Sequence, residues 1–563
     1  MRYLLICTIL ISQFIHSQNS YPKDYFRSPL DIPIVLAGTF GELRSNHFHS
    51  GMDIKTQQRE GLNVYAVADG YVSRIKVQHY GYGKAIYITH PNGYTSVYGH
   101  LQKYAPEIEA YIKEEQYKNQ SYEIELFPSA NEIQVHKGDL IALSGNTGGS
   151  GGPHLHFEIR DGLEKPINPL LFGYHVKDTK APRILGVHAY PVGNNAIINN
   201  ENTRKELRLT QNPDGTYMAD KIYASGNIGL GVETYDQLDM AYNKNGAYKI
   251  CTTVNGTLNF EYDFETFSFA ESRYINTLID YPTYIDNSIK IQKCYIEPYN
   301  KLSIYKKRND DGVITINDGL SYQVTMEVSD FAGNTSTIII PIEGKKQELS
   351  NPITSNTENK GDYLIATRDN IFSVGNASLF FPENTFYHDL FINLKTEDDA
   401  IIIHNESVPV KNNYTISMNI SNRNETDKDK LFIAHVSDDG RLSYEYTYRK
   451  GDLLSTRTRD LGKFKVAKDT VAPVVKPSNF RDGQWLSNFR YLKLNITDDL
   501  SGINSYRATI NGEWILMEYE YKENSLTYDL SDIDFKDAAN NLEVVVTDNV
   551  GNSTTFKAVF HKK

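Results

Sequence analysis

The chain has 563 residues and a formal charge of −12, with 70 acidic against 58 basic side chains. One hydrophobic core does not organise that length, so three or four domains are expected. The acidic balance argues against a nucleic-acid partner, which wants a basic face, and 40 tyrosines among frequent Asn, Thr and Ile favour strands and turns over long helices.

In chain order, the opening MRYLLICTILISQFIHSQ has one Arg, an apolar run over 4–15 and small or polar residues after it. The run is too short to cross a bilayer, so residues 1–18 are expected to be a secretory signal peptide cleaved near Ser17 or Gln18. Cys7 sits inside the run without the flanking spacing of a lipoprotein cleavage site, and lipid anchoring is not expected. No later stretch is apolar enough to be a transmembrane segment. Two thiols then remain, Cys251 and Cys294. In an oxidising compartment they either close a loop of roughly 40 residues, worth about 3–4 kcal/mol, or stay as buried free thiols.

Residues 19–177 read as a compact β domain. Asp69-Gly70 and Pro91-Asn92-Gly93 are turn signals between alternating runs, VYAV/YVSRI and AIYITH/YTSVYGH. The one helical segment is PEIEAYIKEEQYK, from 106 to about 118. It belongs to an insertion-like stretch reaching about 130, which is either a rim or lid over a groove or a surface insertion. Further along, Asp178-Thr-Lys-Ala-Pro182 recurs as Asp469-Thr-Val-Ala-Pro473, and VSDFAGNTST (328–337) as VTDNVGNSTT (546–555). Each pair would open and close an immunoglobulin-like β-sandwich, the first over 178–346 with insertions, the second over 468–563. Between them lie a polar linker at 347–360 and a β-rich unit of uncertain type at 361–467. The expected fold class is mainly β throughout, and the later units read as spacers or binding modules, through which an envelope protein partner could dock.

The chemistry gathers in the first domain. GNTGGSGGPHLHFEIR (145–160) places a glycine-rich loop directly before His154 and His156. A phosphate-cradling loop would want a Lys and a following helix, and neither follows. His154-Leu155-His156-Phe157-Glu158-Ile159 alternates as a strand does, so both imidazoles point to one face. Earlier, NHFHSGMDIK holds His49 and Asp53 four apart in a stretch too poor for a helix, which reads as a turn folding the carboxylate back toward the imidazole. Zinc in a hydrolytic site takes three His or carboxylate ligands and leaves a fourth position for water. His49, Asp53 and one of His154 or His156 would fill that need, with a remaining histidine free to move a proton or hold a developing oxyanion.

Taken together, NHFHSGMDI, VYGHL ending at His100, and GNTGGSGGPHLHFEIR resemble the three signatures of lysostaphin/LytM-type zinc metalloendopeptidases, in the family's order and with the ADGYV and VHKGDLIALSGNTG runs between them. The resemblance covers roughly residues 36–170. It implies an antiparallel sheet whose groove holds one Zn2+, with His49, Asp53 and His156 as ligands and with His100 and His154 as the non-ligand catalytic histidines. His47 reads as a supporting or structural residue, His90 as structural, His136 as a surface turn residue. Tyr98 shares strand parity with His100 and either lines the groove or belongs to the core. Arg44 or Asn46 could shape the groove. A tyrosine that some relatives place ahead of the first motif has no counterpart in GTFGELRSN.

The substrate class the resemblance implies is the stem or cross-link peptides of peptidoglycan, cut by a protein that is secreted, periplasmic or held in the cell envelope. The residues do not distinguish Gly–Gly bridges from D-alanyl–diaminopimelate links, but the Asn/Lys/Ile-rich usage and the unlipidated signal suit a Gram-negative-type envelope, where the latter bond is the expected target. The alternatives are a latent or non-catalytic regulator of other wall hydrolases, and an adhesin in which the sandwiches do the work. Only two Trp occur in the chain and no aromatic carbohydrate platform is evident, which weighs against the adhesin.

Overall fold

The computed structural model describes residues 21–350 and 361–563. The expected signal peptide, and the part of the expected linker at 351–360, lie outside the described residues. The described chain is mainly β, and most of its strand pairs are antiparallel. No helix among the described residues is long and apolar enough to cross a membrane.

Seven strands carry the first core: β1 (Leu36–Gly38), β2 (Met52–Lys55), β3 (Gly70–Val77), β4 (Lys84–Thr89), β5 (Thr95–Gly99), β6 (Ile124–Leu126) and β7 (His154–Arg160). They lie side by side in the order β1-β2-β7-β5-β4-β3-β6. Side-chain alternation sorts the two faces. Leu155, Phe157 and Ile159 of β7 join Val72, Ile75, Ile86 and Ile88 in a buried apolar layer. The odd-even partners on β7 (His154, His156, Glu158 and Arg160) all project to the opposite face. That face is the one where polar groups collect.

The expected helix is present as α1 (Pro106–Asn119). Pro106 occupies the first turn, where its missing N–H costs nothing, and Glu107 and Glu109 sit against the positive end of the helix dipole. Ile108, Ile112 and Gln116, four apart, turn one stripe inward. No residue of the 106–130 stretch lines the polar groove described below. The stretch is therefore not part of the groove wall: α1 packs sideways, its Lys113 Nζ 2.5 Å from Asp532 Oδ1 and its Tyr117 ring edge-on to Trp514.

Beyond the first core, strands between Arg183 and Gly344 enclose a second apolar cluster that includes Val187, Leu230, Val324 and Ile340, and that also receives Phe40 and Phe48 from the first region. Cys251 and Cys294 are buried free thiols in that unit, so the disulfide alternative does not form. Residues 361–469 build two five-stranded antiparallel sheets around Leu379, Tyr414, Ile433 and Phe464. The last unit pairs a four-stranded with a five-stranded sheet around Leu494, Tyr528, Val544 and Phe560. It folds back on the first: Lys84 Nζ lies 2.9 Å from Glu518 Oε2, and the Tyr80 and Tyr521 rings meet at 4.7 Å.

Candidate metal centre

His49 ends a tight loop whose backbone is closed by Gly41 N–H donating to His49 O and His49 N–H donating to Glu42 O, both at 2.9 Å. The chain then enters β2, and the register of β2 against β7 sets Asp53 directly across from His156. Cross-strand partners share a face, so carboxylate and imidazole meet. His49 Nε2 lies 3.0 Å from Asp53 Oδ1 and 3.1 Å from His156 Nδ1, and His156 Nδ1 lies 2.9 Å from Asp53 Oδ1. Two ring nitrogens and one carboxylate oxygen thus form a nearly equilateral triangle. A tetrahedral ion with bonds of about 2.0–2.1 Å wants donor separations of about 3.3 Å, so this donor set fits a small divalent cation with little adjustment. All three residues are buried, and together they could hold a metal ion.

Each donor is held from behind, as metal ligands generally are. His49 Nδ1–H donates to Thr39 O at 2.8 Å. Asp53 Oδ2 accepts from Arg44 Nη2 at 3.2 Å. His156 Nε2 faces Glu158 Oε1 at 2.8 Å, and Glu158 in turn receives Arg160 Nε at 2.6 Å, Ser50 Oγ at 2.7 Å and the Tyr82 hydroxyl. Tyr82 also stacks on His156, with ring centres 4.9 Å apart. Burial works to raise the Asp53 carboxyl, but the His49, His154 and His156 contacts outweigh it and hold it well below its ordinary value.

The two remaining histidines face each other across the groove with ring centres 4.8 Å apart. His154 comes from β7 with its Nδ1 2.8 Å from Gly152 O and its Nε2 3.4 Å from Asp53 Oδ1. His100 follows β5 in the left-handed region at φ 58°, a conformation unusual for a residue with a side chain. Its Nδ1–H donates to Thr147 O at 2.8 Å. Burial, then the charges of His156 and His154, push its imidazole down to about 3, so the ring is neutral with Nε2 as acceptor.

These groups line a groove of about 690 Å³, walled by Arg44, His47, Tyr82, the Gly149–Gly151 loop and, from the second unit, Phe269, Ser272 and Arg273. His47 lines it without joining the donor set; its Nδ1 lies 3.0 Å from Asn46 Oδ1. Tyr98 belongs to the core, fully buried, with its hydroxyl accepting from Val67 N–H at 3.0 Å. Its parity with His100 would hold only if β5 ran on, and the turn at His100 breaks it. His90 is buried between Asp69 O and Ser96 Oγ, and His136 is on the surface.

A family model described as "Peptidase family M23" matches residues 47–117 and 125–169, the stretch that builds this centre. The chain carries a peptidase family M23 domain. A second model, "Zu5-like domain", matches residues 361–469. Over 154 residues the chain is 36% identical to an "uncharacterized metalloprotease" of Haemophilus influenzae, covering 26% of this chain and 27% of that protein. It is 33% identical over 128 residues to the "DD-carboxypeptidase/endopeptidase Mpg" of Neisseria meningitidis serogroup B, covering 23% of each. The match thus spans about a quarter of the length of these curated relatives. Among solved structures, a zinc-containing peptidase from Vibrio cholerae is similar at 26% identity over 27% of this chain and 40% of that one, with a TM-score of 0.20. The catalytic domain of lysostaphin from Staphylococcus simulans is similar at 22% identity over 25% and 93%, with a TM-score of 0.19.

Within the M23 domain, the backing residues Glu158, Arg160, Ser50 and Tyr82 were not singled out by sequence reasoning. For Glu158 and Arg160 the signal existed: they continue the two-residue period of His154 and His156. Tyr82, Phe269 and Arg273 carried no such mark, because they reach the groove only through the turn between β3 and β4 and through docking of the second unit.

Proposed function

We propose that this protein is a zinc-dependent endopeptidase that hydrolyses peptide cross-links of peptidoglycan. The observation that supports this most directly is the triangle of His49 Nε2, Asp53 Oδ1 and His156 Nδ1, with sides of 2.9–3.1 Å, beside two further histidines on an open groove. Zinc held there by these three residues would supply a lowered pKa for water and polarisation of the scissile carbonyl. The chain's own groups do the rest. His100 is neutral, its Nδ1–H committed to Thr147 O, so its Nε2 can accept a proton from the attacking water or, once protonated, hold the tetrahedral oxyanion. His154 is fixed the same way through Gly152 O and takes the other role; protonated, either ring can pass its proton to the leaving amine. Arg44, Phe269 and Arg273 give the groove two cations and an aromatic ring with which to orient an anionic stem peptide.

The name of the Neisseria relatives, DD-carboxypeptidase/endopeptidase, favours a D,D-linked bond over a Gly–Gly bridge. Such a substrate implies a protein in the envelope or outside the cell. The two echoing units at 178–346 and 468–563, read as immunoglobulin-like sandwiches, would then be envelope-facing modules. Mass spectrometry of sacculi digested with the zinc-loaded full chain tests the reading. It should release cross-linked muropeptides, lose that activity to a chelator, and lose it in Asp53→Ala. A protein that retains one zinc per chain yet releases nothing from sacculi would instead be a regulator of other hydrolases.

A further inference from the structure

The two echoing units each contain a second kind of polar cluster. In one, Asp178, Asp236 and Asp330 bring carboxylate oxygens within 4.8 Å of one another; in the other, Asp469, Asp498 and Asp548 do the same. Two of the three positions correspond in their contacts, Asp178 with Asp469 and Asp330 with Asp548; the third differs, because Asp498 Oδ2 accepts from the Leu500 and Gly502 N–H groups. Asp330 Oδ1 and Oδ2 accept from the backbone and side-chain N–H of Asn334 at 2.9 and 2.7 Å, and that same side chain donates to Asp178 O at 3.3 Å. Asp548 and Asn552 repeat the arrangement at 2.8 and 2.7 Å, with Asp469 O at 3.1 Å. Asp178 Oδ1 accepts from Lys180 N–H, and Asp469 Oδ1 from Val471 N–H, again two residues on.

One observation sets both triads apart from ordinary acidic surface, and a second strengthens the first triad. None of the six carboxylates forms an ion pair with a Lys, Arg or His among the described residues, although Asp236, Asp330, Asp469 and Asp548 are buried. Buried anions without a cation are strongly disfavoured. Asp236 is also only 2% exposed, and its Oδ1 has no hydrogen-bond partner. A desolvated carboxylate oxygen without a partner, set beside two more carboxylates, is stabilised by a nearby positive charge. The donors are all oxygen, with no imidazole or thiolate, which selects a hard cation. Three carboxylates converging on one point suit Ca2+, which takes six to eight oxygen ligands in flexible geometry, better than Mg2+, which keeps its waters and is usually held by one or two carboxylates.

We propose that each triad binds one Ca2+ and that each ion fixes the seam between its β unit and the unit before it. The positions support the second half. Asp178 and Asp236 line a cavity of about 250 Å³ together with Leu36, Thr39 and Phe40 of the M23 region. At the other site, Asp469 N–H donates to Lys430 O, and Lys430 Nζ donates to Val550 O, both at 3.1 Å, joining the last unit to the Zu5-like one. Carbonyl groups or water would complete each shell.

The test is equilibrium dialysis of the zinc-loaded full chain against about 5 mM Ca2+, above the range in which extracellular calcium modules fill. It should bind two Ca2+ per chain, one for each triad. Asp236→Ala and Asp498→Ala should each bind one, and the double variant none, with far-UV circular dichroism showing that each remains folded. Calcium should raise the Tm of the parent chain and leave that of the double variant unmoved. Absence of bound calcium in the parent chain overturns the proposal whatever the variants do; so does a folded double variant that still binds two.

Discussion

Both nitrogens of His156 are engaged, Nδ1 in the triangle with His49 and Asp53 and Nε2 by Glu158, whose other oxygen is gripped by Arg160. The ring cannot rotate without breaking a buried hydrogen bond to a carboxylate, which is how a side chain is made rigid enough to be a ligand. Glu158→Gln should therefore keep the fold but weaken zinc binding by about 10–100-fold, read by titration against a competing chelator. His100→Ala should separate the two functions of the site. It removes no ligand, so zinc stoichiometry should hold, while muropeptide release should fall by about 10²–10⁴-fold, the usual worth of a positioned acid or base. The pairing of His154 with His156 was legible in the sequence because a period of two is a local property. Tyr98 was not decidable, because one residue in the left-handed region, His100, reverses the direction in which the chain faces.

At the scale of elements, the site depends on how closely β1, β2 and β7 approach. Gly38 lies opposite Asp53 in the register, and a Cβ there would stand 2.6 Å from Asp53 Oδ2 and 2.8 Å from the Arg44 guanidinium. Gly38→Ala should push the Asp53 carboxylate out of the triangle, lowering zinc affinity more than stability; a Tm loss without loss of zinc would contradict that. Gly148 works differently. It sits at φ 71°, with a Cβ position 2.3 Å from Gly83 N, so Gly148→Ala is both strained and blocked. It should cost at least about 1–3 kcal/mol of stability, measured by denaturant unfolding. The strands, their turns and α1 could be anticipated because alternation, turn residues and a proline-led amphipathic stretch are written locally. What α1 packs against could not, since Trp514 and Asp532 are some four hundred residues away along the chain.

At the scale of the whole molecule, the groove is not the property of the M23 domain alone. The second unit supplies Phe269, Ser272 and Arg273, with Ser272 Oγ accepting from Phe48 N–H at 2.9 Å right beside His49. The third steadies that wall through the Tyr387 hydroxyl, which donates to Arg273 O at 2.6 Å. The fourth reaches over the glycine-rich loop: the Lys522 ammonium donates to the carbonyls of Asn146, Gly148 and Ser150, and Tyr521 OH to Gly148 O at 3.4 Å. Lys522→Ala should free that loop, speeding hydrogen exchange of amides 146–150 by about 10–100-fold, the equivalent of about 1–3 kcal/mol in charged hydrogen bonds. Exchange at the parent rate would mean the ammonium contributes nothing. The repeats at 178–182 and 469–473 were visible in the sequence, yet their use as seams was not, because a seam is defined by what lies across it.

The Lys522 contact also has a consequence in time. Synthesis proceeds from the amino end, and units fold broadly in the order they emerge. His49, Asp53, His100 and His156 are all made before residue 170, while the ammonium that steadies the loop beside them arrives more than three hundred and fifty residues later. A nascent or truncated chain can therefore assemble the proposed zinc ligands and still present a slack groove, and the wall of the cleft tightens only when the final unit has been delivered.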